Sequence, residues 1–428
     1  MTYRGIDVEG QLIVRRYQTI IAFVALIAEL FLAGDWYGFA AVIPFVSKSL
    51  HLSAANAGLA QGIFTITYAV SLLVWGPLAD RLQSKRMIVA GLFGTGLFMF
   101  LQGFVQNYGE LLLARSLIGI FDAAIFVGTM KLIAAWFPPA RRGALMGSLL
   151  AAYSLAITGD FAVGIPVAHQ IGWPFFLSGL GVLTLLVGVV SALVIKSKPQ
   201  DVGVVPFQWA ANAEADERHA ASLAEIFRKP WIYIAALAIF GDTFAIAAGA
   251  TWVIPMFLTI DHISFSLASL MGSIMGLSQV LFLFVGGYFS DRVGKRVLPM
   301  RLGAALATVS ALLFTFAALS HVADAVLILF AAISGVAVFS GGAIFSLVAD
   351  RYGEELAGTA IGYAEIGGIV STFIAPAVMG WLISRTHGFA DAFWLFTGVE
   401  LVIFAILLFV RDDAAGTLQA VPKQSAEV

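Results

Sequence analysis

The chain has 428 residues, 60% of them hydrophobic and only 12% charged, with a formal net charge of -2 and no cysteine. A soluble globular chain keeps roughly a quarter of its residues charged, so this composition, with a mean hydropathy of +0.94, marks an integral membrane protein and argues against a nucleic-acid binder. The absence of cysteine excludes disulfides, thiol catalysis and cysteine-ligated metals.

A membrane span needs about 20 mostly apolar residues. Such runs follow one another at residues 19–46, 57–78, 87–105, 111–136, 143–168, 174–195, 231–258, 268–289, 298–319, 325–348, 357–383 and 390–410. The first run contains Asp35 and lacks a small-residue cleavage site, so it reads as a retained helix and not as a leader. The polar stretch 196–230 interrupts the series, and Ser222–Lys229 within it reads as a short surface helix. The predicted organisation is an N-terminal six-helix bundle over 1–195, a cytoplasmic linker over 196–230, a C-terminal six-helix bundle over 231–411 and a disordered cytoplasmic tail over 412–428.

All but four of the 24 Lys and Arg residues fall in segments on the side of the N-terminus; the exceptions are Lys48 and Arg385 on the opposite side, and Arg115 and Lys131 inside the fourth run. The positive-inside rule then puts both termini in the cytoplasm, with a bacterial inner membrane as the expected location. His51, His169, His262, His321 and His387 fall on the opposite side, where they read as solvated interfacial residues.

Two loops share a pattern. After the second run the chain reads Gly76-Pro-Leu-Ala-Asp80-Arg81-Leu-Gln83-Ser-Lys85-Arg86, and after the eighth Gly287-Tyr-Phe-Ser-Asp291-Arg292-Val-Gly294-Lys295-Arg296. One shift along the chain superposes Gly76 on Gly287, Asp80 on Asp291 and Arg81 on Arg292, and also Pro44 on Pro255 and His51-Leu-Ser53 on His262-Ile-Ser264. A register held over this distance is the signature of an internal duplication. Twelve spans in two related halves, with this loop at both equivalent positions, resemble the major facilitator superfamily. That resemblance implies an all-α integral membrane fold of 12 transmembrane helices in two pseudo-symmetric six-helix bundles that rock about a central site. It also implies that Gly76, Asp80, Arg81, Lys85, Arg86, Gly287, Asp291, Arg292, Lys295 and Arg296 form a gating motif. The two aspartates would meet helix N-termini of the opposite half when the cytoplasmic side is closed. Gln83 departs from the pattern, which has a glycine there as Gly294 does in the second copy.

Charge inside lipid costs several kcal/mol per group, so each instance calls for a partner or a function. The acids inside runs are Glu29 and Asp35 in the first, Asp122 in the fourth, Asp160 in the fifth, Asp242 in the seventh, Glu365 in the eleventh and Glu400 in the twelfth. At about 1.5 Å of rise per residue, Asp35, Asp122 and Asp242 lie near mid-membrane. Arg115 and Asp122 are two turns apart on one face, which fits either a structural ion pair or a base that tunes a proton-carrying acid. Glu29 and Glu400 read as facing neighbouring helices or snorkelling.

Gly34-Asp35-Trp36-Tyr37-Gly38, the stretch from Ala114 to Asp122 with Arg115 four before Gly119, and Ile171-Gly-Trp173-Pro-Phe-Phe resemble the anion:cation symporter branch, which takes up organic acids. Trp36 stands where that branch has a substrate-binding arginine. The resemblance implies a substrate and proton pathway of Asp35, Trp36, Tyr37, Arg115, Asp122, Tyr153, Asp160, Asp242, Trp252, Tyr363 and Glu365, with Asp35 or Asp122 taking the proton. Pro44, Pro166, Pro255 and Pro376 are expected to bend their spans, and Gly143/Gly147 and Gly358/Gly362 to allow close helix approach.

The function expected is proton-coupled symport of a small polar metabolite such as an organic acid by alternating access, with no enzymatic activity, cofactor or metal. The partners expected are a small-molecule substrate, protons and membrane lipid, with the chain acting as a monomer. An exporter of amphiphilic or cationic compounds by proton antiport is the alternative; the fifth run, Gly159-Asp160-Phe-Ala-Val-Gly164-Ile-Pro166, fits the Gly-Pro pattern of such antiporters poorly. A transporter-like sensor or scaffold is the alternative of another class.

Overall fold

The computed structural model describes residues 8–204 and 225–411. Twelve helices among them are long and apolar enough to cross a membrane: spans 1 (Gly10–Ser49), 2 (Ala54–Arg81), 3 (Ser84–Gln102), 4 (Tyr108–Trp136), 5 (Ala151–Gln170), 6 (Trp173–Val194), 7 (Trp231–Ile260), 8 (Phe265–Val293), 9 (Val297–Leu319), 10 (Asp324–Tyr352), 11 (Thr359–Thr386) and 12 (Ala390–Phe409). No strand occurs among the described residues. This is the all-α, twelve-span architecture expected, since in lipid a helix satisfies its own backbone polar groups. Span 1 begins well before residue 19, because a helix continues past Arg15 and Arg16 once its end leaves the apolar layer. Of the expected surface helix 225–229 are described, 225–228 as a helical turn; residues 222–224 of that helix and the tail over 412–428 lie outside the described residues.

The duplication is visible in the caps. His51 and His262 both take left-handed backbone angles, φ 52° and 53°. Each is followed two residues later by a serine, Ser53 or Ser264, whose hydroxyl accepts the N–H of Asn56 or Leu267 at 3.2 Å and starts the next helix. The two loops at the base-rich end differ. Gly294 closes span 8 at φ 65°, whereas the first copy, with Gln83 in place of glycine, leaves span 2 through extended Leu82 and Gln83.

Pro44, Pro166 and Pro376 sit inside continuous helices. At Pro255 a π-helical turn over Gly249–Val253 precedes the proline, which sits in the first turn of the helix Ile254–Ile260.

The two halves meet along two seams, span 2 against span 11 and span 5 against span 8. Each seam is built on a glycine pair four residues apart. Added methyl groups at Gly58 and Gly62 would collide with Pro376 and Phe373, and at Gly272 and Gly276 with Phe161 and Thr158. The pairs expected from sequence behave otherwise: Gly362 faces open space, and the surroundings of Gly143, Gly147 and Gly358 lie outside what is described.

The seams hold at the base-poor end and open toward the base-rich end. At the base-poor end the Ala55 N–H donates to Ser384 Oγ at 2.7 Å across the seam. The face of span 2 that starts at Gly58 and Gly62 continues through Ile66, Val70 and Leu73, whose exposure rises from 37% to 58% to 76%. On span 11 the matching face exposes Val370 and Ile366. The cleft between the halves therefore opens on the face that carries Asp80 and Asp291. The sidedness is checked by reporters: one after Val428 and one near Ala213 are expected on the cytoplasmic side, one near His51 outside. Finding the first two on opposite faces would break the twelve-span arrangement.

Candidate functional site

Four carboxyl groups converge inside the first half. Asp35 and Asp122 lie at the same depth, each about 21 Å of helix rise from the base-poor end of its span. Asp35 is fully buried, and neither carboxyl oxygen has a hydrogen-bond partner. Asp122 is also fully buried; its Oδ1 accepts the Thr95 hydroxyl at 2.7 Å, while Oδ2 is unpartnered. Asp160 of span 5 packs on the glycine face of span 1, where an added methyl at Gly38 would touch its Oδ1 at 3.6 Å. Glu29, two helical turns before Trp36 and so on the same face, lies beside Thr129 and Tyr153 and is 1% exposed.

An aromatic wall stands against these acids. The Trp36 ring meets Phe64 at 4.6 Å, Tyr68 at 5.4 Å and Tyr153 at 6.0 Å, each edge to face. The Trp36 backbone carbonyl accepts the Gln61 side-chain amide at 2.9 Å. Its buried indole Nε1 lies toward Asp122, close enough to interact with that carboxyl though short of good hydrogen-bond geometry. A donor and an acceptor held close without a well-formed bond can turn instead to a substrate hydroxyl or carboxyl.

Arg115 does not form the ion pair that its spacing from Asp122 suggested. Its Nε donates to the Ala60 carbonyl at 3.1 Å, one terminal nitrogen to the Asp35 backbone carbonyl at 3.0 Å, and the other to the Gln61 carbonyl at 3.4 Å. The guanidinium lies over the rings of Phe64 and Phe39, at 4.4 and 4.7 Å. The cause is the direction of a helical side chain, which leans toward the N-terminus of its own helix and so away from Asp122. Arg115 binds spans 1, 2 and 4 together while remaining within electrostatic range of Asp35 and Asp122.

Other residues expected at the site are placed elsewhere. Tyr37 is buried in the same core. Trp252 donates to the Pro376 carbonyl at 3.2 Å and wedges between Gly58 and Gly380, so it belongs to the seam. Tyr363 packs edge to face on Phe227 at 4.9 Å, next to the linker. Glu365 marks the break between the helices Gly341–Ala364 and Ile366–Thr386 and lies within electrostatic range of Tyr68 across the cleft. Asp242 accepts from Ser340 in the second half. The fourth carboxyl, Glu29, reads from sequence as facing a neighbouring helix or snorkelling, and the partners Gln61, Tyr68 and Thr95 are not singled out there. Glu29 carried a signal in its two-turn spacing from Trp36, whereas Thr95 and Gln61 come from other spans and carried none.

The gating loops are apart. Asp80 is exposed, without an ion pair among the described residues, and Lys131 of span 4 holds the loop's start by donating to the carbonyls of Ala79 and Leu82. Asp291 pairs with Arg296 at 2.8 Å, and Arg296 reaches Asp350 at the end of span 10 at 2.9 Å. Burial works to lower the basicity of Arg296, but the bonds to Asp291 and Asp350 outweigh it and hold it above the ordinary arginine value. Exposed pairs of this kind are worth about 1 kcal/mol or less. Asp80→Asn and Asp291→Asn are therefore expected to leave expression near normal and to shift spin-label distances between the base-rich ends of spans 4 and 10 toward the open state. The cysteine-free chain allows such labelling without background. Unchanged distances in both variants would leave these aspartates as topology signals.

Comparison with known proteins adds the following. The model of the Major Facilitator Superfamily matches residues 25–259 and 243–426. The chain is 26% identical to the hexuronate transporter of Bacillus subtilis (strain 168), covering 90% of this chain and 93% of that protein. It is 27% identical to the probable galactarate/D-glucarate transporter GarP of Escherichia coli (strain K12), covering 86% and 88%, and 24% identical to a putative tartrate transporter of Agrobacterium vitis, covering 94% and 92%. In fold it is similar to a bacterial homolog of the human lysosomal transporter Spinster, solved in an inward-facing, unoccupied conformation: TM-score 0.74, 15% identity, 91% of this chain and 95% of that one.

Proposed function

Because the chain belongs to the Major Facilitator Superfamily, and is thus a multi-pass membrane transporter and not an enzyme, we propose that it takes up a small organic acid together with protons by alternating access. The observation that carries the proton coupling is the cluster of Glu29, Asp35, Asp122 and Asp160. Among the described residues Arg115 is the cation within its reach, and that guanidinium is committed to three backbone carbonyls. A low-dielectric interior does not hold four like charges around one counter-ion, so exchangeable protons supply the balance. Asp35, with both oxygens free, is the acid assigned to load and release one.

The relatives are named as transporters of a hexuronate, of galactarate or D-glucarate and of tartrate, all small hydroxylated acids, which supports the same substrate class here. Trp36 replaces the arginine expected to hold the acid group, so recognition falls to neutral donors, with the indole N–H of Trp36, turned toward Asp122, first among them. The open base-rich face would be the cytoplasmic one, in an inward-facing state, with both termini in the cytoplasm of a bacterial cell.

The test is uptake by proteoliposomes of labelled hexuronate, D-glucarate and tartrate, with acid outside. Saturable uptake of at least one is expected. If none enters or competes while a lipophilic cation is pumped in exchange for protons, the export reading takes its place; it is favoured by the lack of a free base beside Trp36.

A further inference from the structure

We propose that the second half has its own proton-binding site, formed by Asp242 of span 7, Glu400 of span 12 and Ser340 of span 10, independent of the four-carboxyl cluster in the first half. Asp242 is half-buried and Glu400 is sealed at 1% exposure. Glu400 lies against the backbone of span 7, where an added methyl at Gly241 would meet its Oε2 at 3.4 Å. Its Oε1 has no hydrogen-bond partner.

The geometry at Asp242 has room for a second hydrogen. Ser340 Oγ lies 2.7 Å from Asp242 Oδ1 and 2.8 Å from Oδ2. Both are hydrogen-bond distances, but a hydroxyl carries one hydrogen and cannot fully serve two oxygens. With Asp242 ionised, Ser340 donates to one oxygen and the other contact is unfilled. When a proton from cleft water adds to that oxygen, the new O–H donates to Ser340 Oγ and both contacts are made. The alternative resting place is Glu400 Oε1, which is unpartnered and in electrostatic range of Asp242. Proton and charge balance in either case: a hydronium ion in the cleft gives up one proton and becomes water, and one carboxylate becomes neutral.

Charged groups on the packed elements do not compensate this pair. On span 9, Arg301 donates to the Leu407 and Val410 carbonyls near the base-rich end. At the start of span 7, Lys229 pairs with Glu225, and Arg351, just beyond Asp350, lies over Trp231. Asp350 is taken by Arg296. On span 11, Arg385 lies over Trp381 at the base-poor end, and Glu365 adds a further acid; on span 12 Asp391 lies in the first turn. Two neighbouring carboxyls without a base hold at least one proton between them. Ser340 follows the 3-10 turn Ser334–Val338 that interrupts span 10, so the proton acts on the segment of that span able to bend.

The test is a pH titration of the purified full-length protein by infrared difference spectroscopy, which reads protonated carboxyl groups directly. At least one of Glu400→Gln and Asp242→Asn is expected to remove one carboxyl's share of that band, and the other to shift its pH midpoint, because each carboxyl feels the other. Asp35→Asn should remove a different share and leave this one in place. Ser340→Ala should keep the share but shift its frequency, because the hydrogen bond is gone. A band unchanged from wild type in both Glu400→Gln and Asp242→Asn overturns the proposal. Should Glu400→Gln not yield folded protein, the near-isosteric Asp242→Asn decides alone: it either removes the share or shifts its pH midpoint, and a band unchanged in size and midpoint overturns the proposal. Because the Asp35→Asn share is read separately, failure here and failure of the first-half assignment are distinguishable.

Discussion

Asp35→Asn is expected to abolish pH-gradient-driven accumulation, leaving the internal substrate concentration equal to the external one, while counterflow exchange continues. Counterflow moves substrate both ways without net proton transfer, whereas accumulation needs an acid that loads on one side and unloads on the other. Asp35 suits this role: fully buried, both carboxyl oxygens free, its backbone and not its side chain taken by Arg115. Asparagine keeps the shape and removes the titratable proton. Asp122→Asn is expected to be milder, since Thr95 can still donate to the amide oxygen that replaces Oδ1. The check is both assays in the same proteoliposomes; loss of counterflow together with accumulation would place Asp35 in substrate binding instead.

Replacing Arg115 is expected to damage the fold before it damages coupling. Three hydrogen bonds from a charged donor, each worth about 1.5–3 kcal/mol, tie span 4 to carbonyls on spans 1 and 2. Arg115→Ala is therefore expected to cost at least ~3 kcal/mol and to lower the midpoint of thermal unfolding. Arg115→Lys should fare little better, because a point charge with one nitrogen cannot span the positions held by a planar fork. A lysine variant as stable as wild type would show that the fork geometry is unimportant and return Arg115 to the role of a simple counter-charge.

The spans were legible because lipid demands an uninterrupted apolar run, and the two-fold repeat because its signals, Asp-Arg loops and His-x-Ser caps, are polar and local. The seams between the halves were not. Lipid and protein interior are equally apolar, so nothing in hydropathy separates Leu73, exposed on the cleft face, from Ile66 higher on that face. Gly58/Gly62 and Gly272/Gly276 are no more conspicuous in sequence than Gly358/Gly362, which was chosen instead. At the site, spacing placed Arg115 and Asp122 on one face correctly, but facing is not bonding. The lean of the side chain sends the guanidinium to carbonyls of other spans, and Glu29, which from sequence reads as facing a neighbouring helix or snorkelling, is sealed inside the site.

Uptake of the labelled organic acid by proteoliposomes of the wild-type protein, with the pH gradient inwardly acidic, absent, or collapsed by a protonophore, tests the central claim most directly. Proton symport predicts accumulation above the external concentration with the gradient, mere equilibration without it, and loss of the accumulated acid when the protonophore is added. Equal accumulation in all three conditions, or accumulation that follows an outwardly directed proton gradient, would contradict it.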